Sequence, residues 1–187
     1  MTEGAEGLAA EARVRAGEAE AEGELDRIRR ILLRTPIRVF VVCPAIVITA
    51  RAITPPARLR PVRWLFAPLL AWGYLQHRLV GGYRTAGPGG AGKGNRRMPD
   101  RLVSDGPYGV IRNPMYLGHL LFLAGLALVF RSRLGAVIFA GTAAWYQQRV
   151  LADEAKLVAR FGEEYEAYRR RVPRWIPRGI PEPLPGE

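Results

Sequence analysis

The sequence predicts an all-α, polytopic integral membrane protein. About four transmembrane helices are expected, with a helical hairpin and a C-terminal amphipathic cytoplasmic helix. Three observations predict this. Four uncharged, mainly apolar runs occupy residues 39–50, 64–77, 113–130 and 134–148. Arginines and aromatic residues bracket them, and the bases are distributed unevenly among the connections. A membrane helix takes roughly 20 mainly apolar residues, and only the third run, with 18, comes close. The flanks lengthen the others: Arg38 and Arg51 bracket the first run, Arg63 and Arg78 the second, and Arg131 and Arg149 lie beyond the last two. Arginine stems cover apolar surface while the charge reaches the interface. Trp64, Trp72, Tyr74, Trp145 and Tyr146 stand near the run ends, as interfacial aromatics do.

Residues 1–26 hold eight acids and two bases, whereas the remaining residues carry 26 bases and nine acids. This acidic, Ala/Glu/Gly-rich stretch has too little apolar surface to pack and reads as a disordered or fraying tail. It lacks the regions of a signal peptide. Residues 27–83 carry the first two membrane helices, with Pro36 and Pro61 suited to their first turns. Residues 84–105 form a cytoplasmic linker rich in Gly, Pro and Arg. Residues 106–177 hold the helical hairpin and the C-terminal helix, and 178–187 form a Pro-rich tail. Arg131-Ser132-Arg133 is too short to be anything but a tight link between antiparallel helices.

With four spans, one side of the membrane receives 20 of the bases outside the tail and the other six. The positive-inside tendency then puts both termini and the long linker in the cytoplasm, in a bacterial inner membrane given the Ala, Gly and Arg richness. Other classes are excluded on composition. One Cys excludes an internal disulfide or a zinc site with two thiolates, and two His leave little material for a histidine-rich metal centre. The bases sit at run ends rather than along one face with stacking aromatics, so no nucleic-acid partner is expected. Residues 87–93 mimic a phosphate-binding glycine loop. Gly94 stands where the magnesium-binding hydroxyl belongs, and neither the strand nor the helix that should flank it is present.

Two stretches carry chemistry. In 102–118 (LVSDGPYGVIRNPMYLG), Gly106-Pro107-Tyr108 is a turn, Asn113 is placed to cap the third helix, and Pro114 fits its first turn. Asn113, Tyr116 and Leu120 share one helical face, and Gly118 permits close approach by another group. In 149–177, Leu151, Leu157, Val158, Phe161, Tyr165 and Tyr168 recur at helical spacing. The fourth helix is therefore expected to run on into an amphipathic helix, with Asp153 and Glu154 just past the membrane end. Read alone, the first stretch is equally a capped membrane helix with an interfacial Tyr, Arg149–Asp153 an ordinary exposed pair, and Arg169-Arg170-Arg171 a site for anionic headgroups.

Taken together, the stretches resemble the isoprenylcysteine carboxyl methyltransferases and the membrane phospholipid methyltransferases. The resemblance rests on Leu102-Val103, Gly106-Pro107-Tyr108, Arg112-Asn113-Pro114-Met115-Tyr116-Leu117-Gly118, Arg149, Asp153-Glu154, Phe161-Gly162 with Tyr165 and Tyr168, and Val172-Pro173. It departs from the family at Asn113, where many members have His, and at Asp153, where they have Glu. It implies S-adenosyl-L-methionine as methyl donor, leaving S-adenosyl-L-homocysteine, and requires no metal. It also implies Arg149 and Glu154 as residues needed for activity. The donor pocket would be lined by Leu102, Val103, Gly106, Pro107, Tyr108, Arg112, Asn113, Tyr116, Leu117, Gly118 and Glu154. The partners implied are the bilayer and a lipophilic or lipid acceptor, methylated on a carboxylate or hydroxyl. Headgroup N-methylation, a non-catalytic membrane protein of the same fold and a soluble basic helical protein are the competing readings.

Overall fold

The computed structural model describes residues 34–55, 61–86 and 102–177. The expected acidic tail, most of the linker and the Pro-rich tail lie outside the described residues. Among the described residues, all regular structure is helical. The chain divides into two compact units, Met1–Val42 and Cys43–Glu187. In the first, Pro36 stands in the opening turn of a three-residue helix, Thr35–Ile37, followed by a π-helical stretch, Arg38–Val42.

The second unit contains α1 (Cys43–Ala52), α2 (Ala67–Ala86), α3 (Pro107–Val110), α4 (Pro114–Phe130), α5 (Arg133–Phe161) and α6 (Glu163–Arg171). One helical stretch among the described residues, Thr35–Ala52, is long and apolar enough to cross a membrane, and Pro114–Phe130 is apolar but shorter. Pro61 does not open a helix as expected. Residues 61–63 are irregular and lead into a 3-10 turn, Trp64–Phe66. The Arg63 N–H is tied to the Val129 carbonyl at 2.8 Å, which fixes this segment against the end of α4 instead of starting a helix.

The most extensive helix contact joins α2 to α4, and the next joins α4 to α5. The first depends on missing side chains. A Cβ on Gly118 would lie 2.9 Å from the Gly73 carbonyl oxygen and 3.1 Å from the His77 nitrogen. One on Gly125 would lie 2.9 Å from the Leu70 nitrogen. Small residues about two turns apart on α4 thus let the α2 backbone approach closely, the device that membrane helices use to gain dispersion contact. The expectation that Gly118 admits a close neighbour holds, and the neighbour is helix backbone.

Between α4 and α5 the chain turns within two residues. Arg131 adopts the left-handed conformation (φ 48°), which ends α4. Ser132 caps α5, its Oγ accepting the Gly135 N–H at 3.0 Å. As expected, α5 continues past Gln148, and it reaches Phe161. Gly162, at φ 53° and ψ −122°, then breaks the path before α6. A side chain there meets nothing within 4 Å, so the strain of Gly162→Ala is conformational alone. A loss of about 1–2 kcal/mol is expected, visible in thermal unfolding; an unchanged midpoint would contradict the backbone argument.

In α6, three glutamates begin the helix and Arg169, Arg170 and Arg171 end it, the order its dipole favours. Its apolar face places Tyr165 and Tyr168 with Val172 in a buried cluster, covered by Leu102, Leu157, Val158 and Phe161.

Candidate active site

The α3–α4 connection, α5 and the segment after α6 converge on one carboxylate. Glu154 is buried on α5. Arg174 binds it bidentately, Nε to Oε1 at 3.1 Å and NH2 to Oε2 at 2.8 Å, and Arg112 NH2 approaches Oε1 at 3.3 Å. Hydrogen bonding to Glu154 raises the Arg174 guanidinium above its ordinary value. The two arginines differ in freedom. The Arg112 side chain is 8% exposed and that of Arg174 27%. Two guanidiniums on one carboxylate leave a net positive charge. Arg112 Nε is also buried without a hydrogen-bond partner. Such an N–H costs about 1–3 kcal/mol if it stays unmet, and it is a donor open to one further acceptor oxygen.

Local chain geometry holds the cluster in place. The Arg112 N–H donates to the Pro173 carbonyl at 2.9 Å, and Arg112 NH1 to the Arg169 carbonyl at 3.0 Å. Asn113 departs from expectation. It makes no side-chain cap on α4, and its Nδ2 reaches the Arg174 carbonyl at 3.5 Å. Its backbone (φ −127°, ψ 53°) lies outside capping geometry, because the Arg112–Pro173 link sets the direction of the chain there. Pro114 does occupy the first turn. Trp175 Nε1 donates to Gln147 Oε1 at 2.9 Å, fastening the segment after α6 to α5.

The buried tyrosines of α6 form a second cluster. Tyr168 donates its hydroxyl proton to the Tyr108 carbonyl at 2.8 Å, joining α6 to α3. Burial, then the charge of Glu154, pushes the Tyr165 hydroxyl up to about 12, and burial raises Tyr168 too. Raised tyrosine values stabilise the fold up to the ordinary pKa of about 10 and lose that stabilisation as pH climbs towards the folded value. Phenolate absorbance is therefore expected to rise in two stages. Tyr165 and Tyr168 should ionise last, as helical circular dichroism falls. One stage near pH 10 with helix retained would contradict the buried cluster.

A second polar group adjoins the first through Tyr116 on α4. Arg149 Nε donates to the Tyr116 hydroxyl at 3.3 Å, and Arg149 also pairs with Asp153 at 3.6 Å, as the i,i+4 spacing predicts. The Arg149 side chain is half exposed, so this pair contributes little stability. The Tyr116 ring lies 4.5 Å from that of Tyr146. Tyr146 in turn is joined through its hydroxyl to His119 Nδ1 at 2.7 Å, and His119 Nε2 to His77 Nδ1 at 2.9 Å.

The expected site residues thus divide. Arg112, Asn113 and Glu154 meet in the ion cluster, and Tyr116 and Arg149 meet beside it. Leu102 packs on the tyrosine core, Val103 is half buried, and Gly106 (φ 53°) and Pro107 turn the chain into α3, which carries Tyr108. Leu117 lies half buried on α4, and Gly118 faces α2. Reading by motif overlooked Arg174, the firmest partner of Glu154, although it follows Val172-Pro173 directly. It also overlooked His77 and His119. His119 stands three residues after Tyr116, one turn along the same helix.

Fold and site together define the class: a helical domain whose α5 carboxylate is gathered with basic side chains from the α4 entry and the C-terminal segment. Residues 83–164 match the phospholipid methyltransferase family model. The protein-S-isoprenylcysteine O-methyltransferase of Schizosaccharomyces pombe is 36% identical over 84 residues, covering 44% of this chain and 35% of that protein. Protein-S-isoprenylcysteine O-methyltransferase B of Arabidopsis thaliana is 31% identical over 84 residues, covering 44% of this chain and 42% of that protein. The nickel-cobalt-cadmium resistance protein NccN of Alcaligenes xylosoxydans xylosoxydans is 33% identical over 82 residues, covering 44% of this chain and 38% of that protein. The similarity therefore spans roughly two fifths of these relatives. These matches support an isoprenylcysteine methyltransferase-like family for the chain.

Proposed function

We propose that the protein is an integral membrane methyltransferase that uses S-adenosyl-L-methionine and acts on a lipid-like acceptor. The observation that carries this reading is the Arg112–Glu154–Arg174 cluster with its unmet Arg112 Nε. The donor's amino-acid end bears one carboxylate and one ammonium. Arg112 fits the carboxylate through the buried N–H that lacks an acceptor. Glu154 fits the ammonium, in exchange for the more exposed Arg174. When bound, the donor supplies an electrophilic methyl on a sulfonium. The chain's own work is then to bind and align, because an in-line displacement demands positioning first. Arg149 and Tyr116, beside the cluster, are the residues assigned to the acceptor side.

The exposed surface supports the membrane part. Ile53, Leu65, Trp64, Leu79 and Val137 are each more than half exposed, far more large apolar surface than a water-facing helix tolerates. We assign α2, the α4–α5 hairpin and the Thr35–Ala52 stretch to four spans. The uneven division of bases supports a cytoplasmic position for the termini and the site, at the inner membrane. Hydroxyl or carboxylate methylation is the favoured chemistry, with headgroup N-methylation the second reading.

Calorimetric titration of S-adenosyl-L-homocysteine into the purified full chain in detergent tests the reading. A saturable one-site isotherm is expected, weakened at least about tenfold in Arg112→Met by loss of a charge-assisted contact. Absence of binding would rule out the methyltransferase assignment.

A further inference from the structure

The two guanidiniums on Glu154 are held very differently. Arg112 is pinned: its NH1 donates to the Arg169 carbonyl at 3.0 Å, its backbone N–H to the Pro173 carbonyl at 2.9 Å, and its side chain is 8% exposed. The Arg174 side chain is 27% exposed, and its Nε and NH2 both donate to Glu154. The backbone around Arg174 does not rely on that contact. The Pro173 carbonyl accepts from Arg112, the Arg174 carbonyl from Asn113 Nδ2 at 3.5 Å, and Trp175 Nε1 donates to Gln147 Oε1 at 2.9 Å. On the other side, Val172 is buried among Tyr165 and Tyr168. The Arg174 side chain can therefore swing outward while its segment stays in place. Glu154 then still keeps Arg112 at 3.3 Å, so the buried carboxylate is not stripped of every cation. One of its partners is fixed and the other is exchangeable.

We infer that Arg174 is a specificity-determining residue of the donor site: a resident cation on Glu154 that yields only to a ligand bringing its own ammonium. The inference rests on the methyltransferase reading above and concerns how the same site chooses its ligand. Charge counting gives the selection. The cluster by itself holds two cations, Arg112 and Arg174, and one anion, Glu154. A ligand with an ammonium and a carboxylate that takes the place of Arg174 leaves two cations and two anions. Its carboxylate has the open Arg112 Nε to accept from. A ligand without an ammonium gains nothing by displacing Arg174, because it breaks a two-toothed, charge-assisted contact and puts no cation in its place. Arg174 thus acts as an element set against the wrong ligand. The same contact has a cost for the right one. The form of the site with Glu154 open to a ligand is a minor one, so the apparent affinity for a ligand that has an ammonium is lowered by that fraction.

Calorimetric titration of the full chain in detergent tests this with two ligands. S-adenosyl-L-homocysteine carries the amino-acid end, and methylthioadenosine keeps the nucleoside thioether without it. The ratio of the two affinities is expected to rise about tenfold in Arg174→Gln in favour of S-adenosyl-L-homocysteine, through loss of one competing charge-assisted contact. Arg174→Lys keeps the charge without the planar fork, and its ratio is expected to fall between those of the parent and Arg174→Gln. Nitrogen-15 labelling of arginine side chains reads the displacement in the parent itself. The Arg174 Nε signal is the one missing from Arg174→Lys. Saturating S-adenosyl-L-homocysteine is expected to move it to the position of a solvated guanidinium, and methylthioadenosine to leave it where it was. An affinity ratio that stays level or falls in the variants overturns the proposal and leaves the methyltransferase reading intact. So does an Arg174 signal that ignores bound S-adenosyl-L-homocysteine. Should Arg174→Gln fail to fold, the Arg174→Lys ratio and the parent signal decide. Absence of S-adenosyl-L-homocysteine binding in the parent and in both variants removes the donor site, and the proposal with it.

Discussion

Glu154→Gln is expected to lower affinity for S-adenosyl-L-homocysteine about tenfold to 150-fold, the loss of one charge-assisted contact. The substitution keeps the size of the side chain and most of its hydrogen bonding while removing the charge that Arg112 and Arg174 share. Two nearly adjacent guanidiniums would then face each other without an anion. Removing one partner from a buried ion group costs about 3–5 kcal/mol, so the thermal midpoint should fall as well. Glu163→Gln is the control. Glu163 is exposed in the first turn of α6 and contributes at most the modest dipole term of a surface carboxylate. Calorimetry and thermal unfolding of the two variants decide the matter. Equal affinities would remove Glu154 from the donor site, and equal midpoints would show that the ion cluster does not stabilise the fold.

Gly73→Ala is expected to be the most disruptive single methyl addition in the helix core. Its Cβ would lie 2.5 Å from the Phe122 nitrogen, 2.7 Å from the Gly118 carbonyl oxygen and 2.9 Å from the Phe122 Cα. All three are backbone atoms of α4 and cannot rotate away. The helices must separate, at a cost of about 1–3 kcal/mol for overpacking, with lost α2–α4 contact added. His77 and His119 should part with them, because their 2.9 Å contact depends on the same approach. Gly141→Ala is the matched control on α5, where an added Cβ meets nothing within 4 Å. It should be neutral or stabilising by up to about 1 kcal/mol through helix propensity. Thermal unfolding of both variants, with the nitrogen-15 histidine signals of the first, tests the argument. A neutral Gly73→Ala would show that α2 and α4 are not packed backbone to backbone.

The local structure around the candidate site was partly legible in the sequence. Pro114 and Gly118 announced the start and the close face of α4, and the spacing of Tyr165 and Tyr168 announced the buried side of α6. The order of Arg112, Tyr116, Arg149 and Glu154 along two stretches carried the resemblance to membrane methyltransferases before any contact was known. These are signals of period, capping and motif, which act over a few residues and leave their mark in local order. Asn113 and Pro61 failed for the opposite reason. Asn113 had the right type for a cap, but a long-range hydrogen bond from Arg112 to Pro173 set its backbone otherwise. Pro61 had the right type for a first turn, but the bond from Arg63 to Val129 held its segment irregular.

By itself, then, the sequence determined the helical character of the described residues, the apolar runs, a tight link after Phe130 and a resemblance to membrane methyltransferases. Tertiary structure alone decided which groups meet. Arg174 reaches Glu154 from 20 residues away, and His77 meets His119 across 42. Neither pairing follows from helical period, since each depends on how separate elements cross. Backbone contact at Gly73 and Gly118 sets one crossing, and the links from Arg112 to the C-terminal segment set the other.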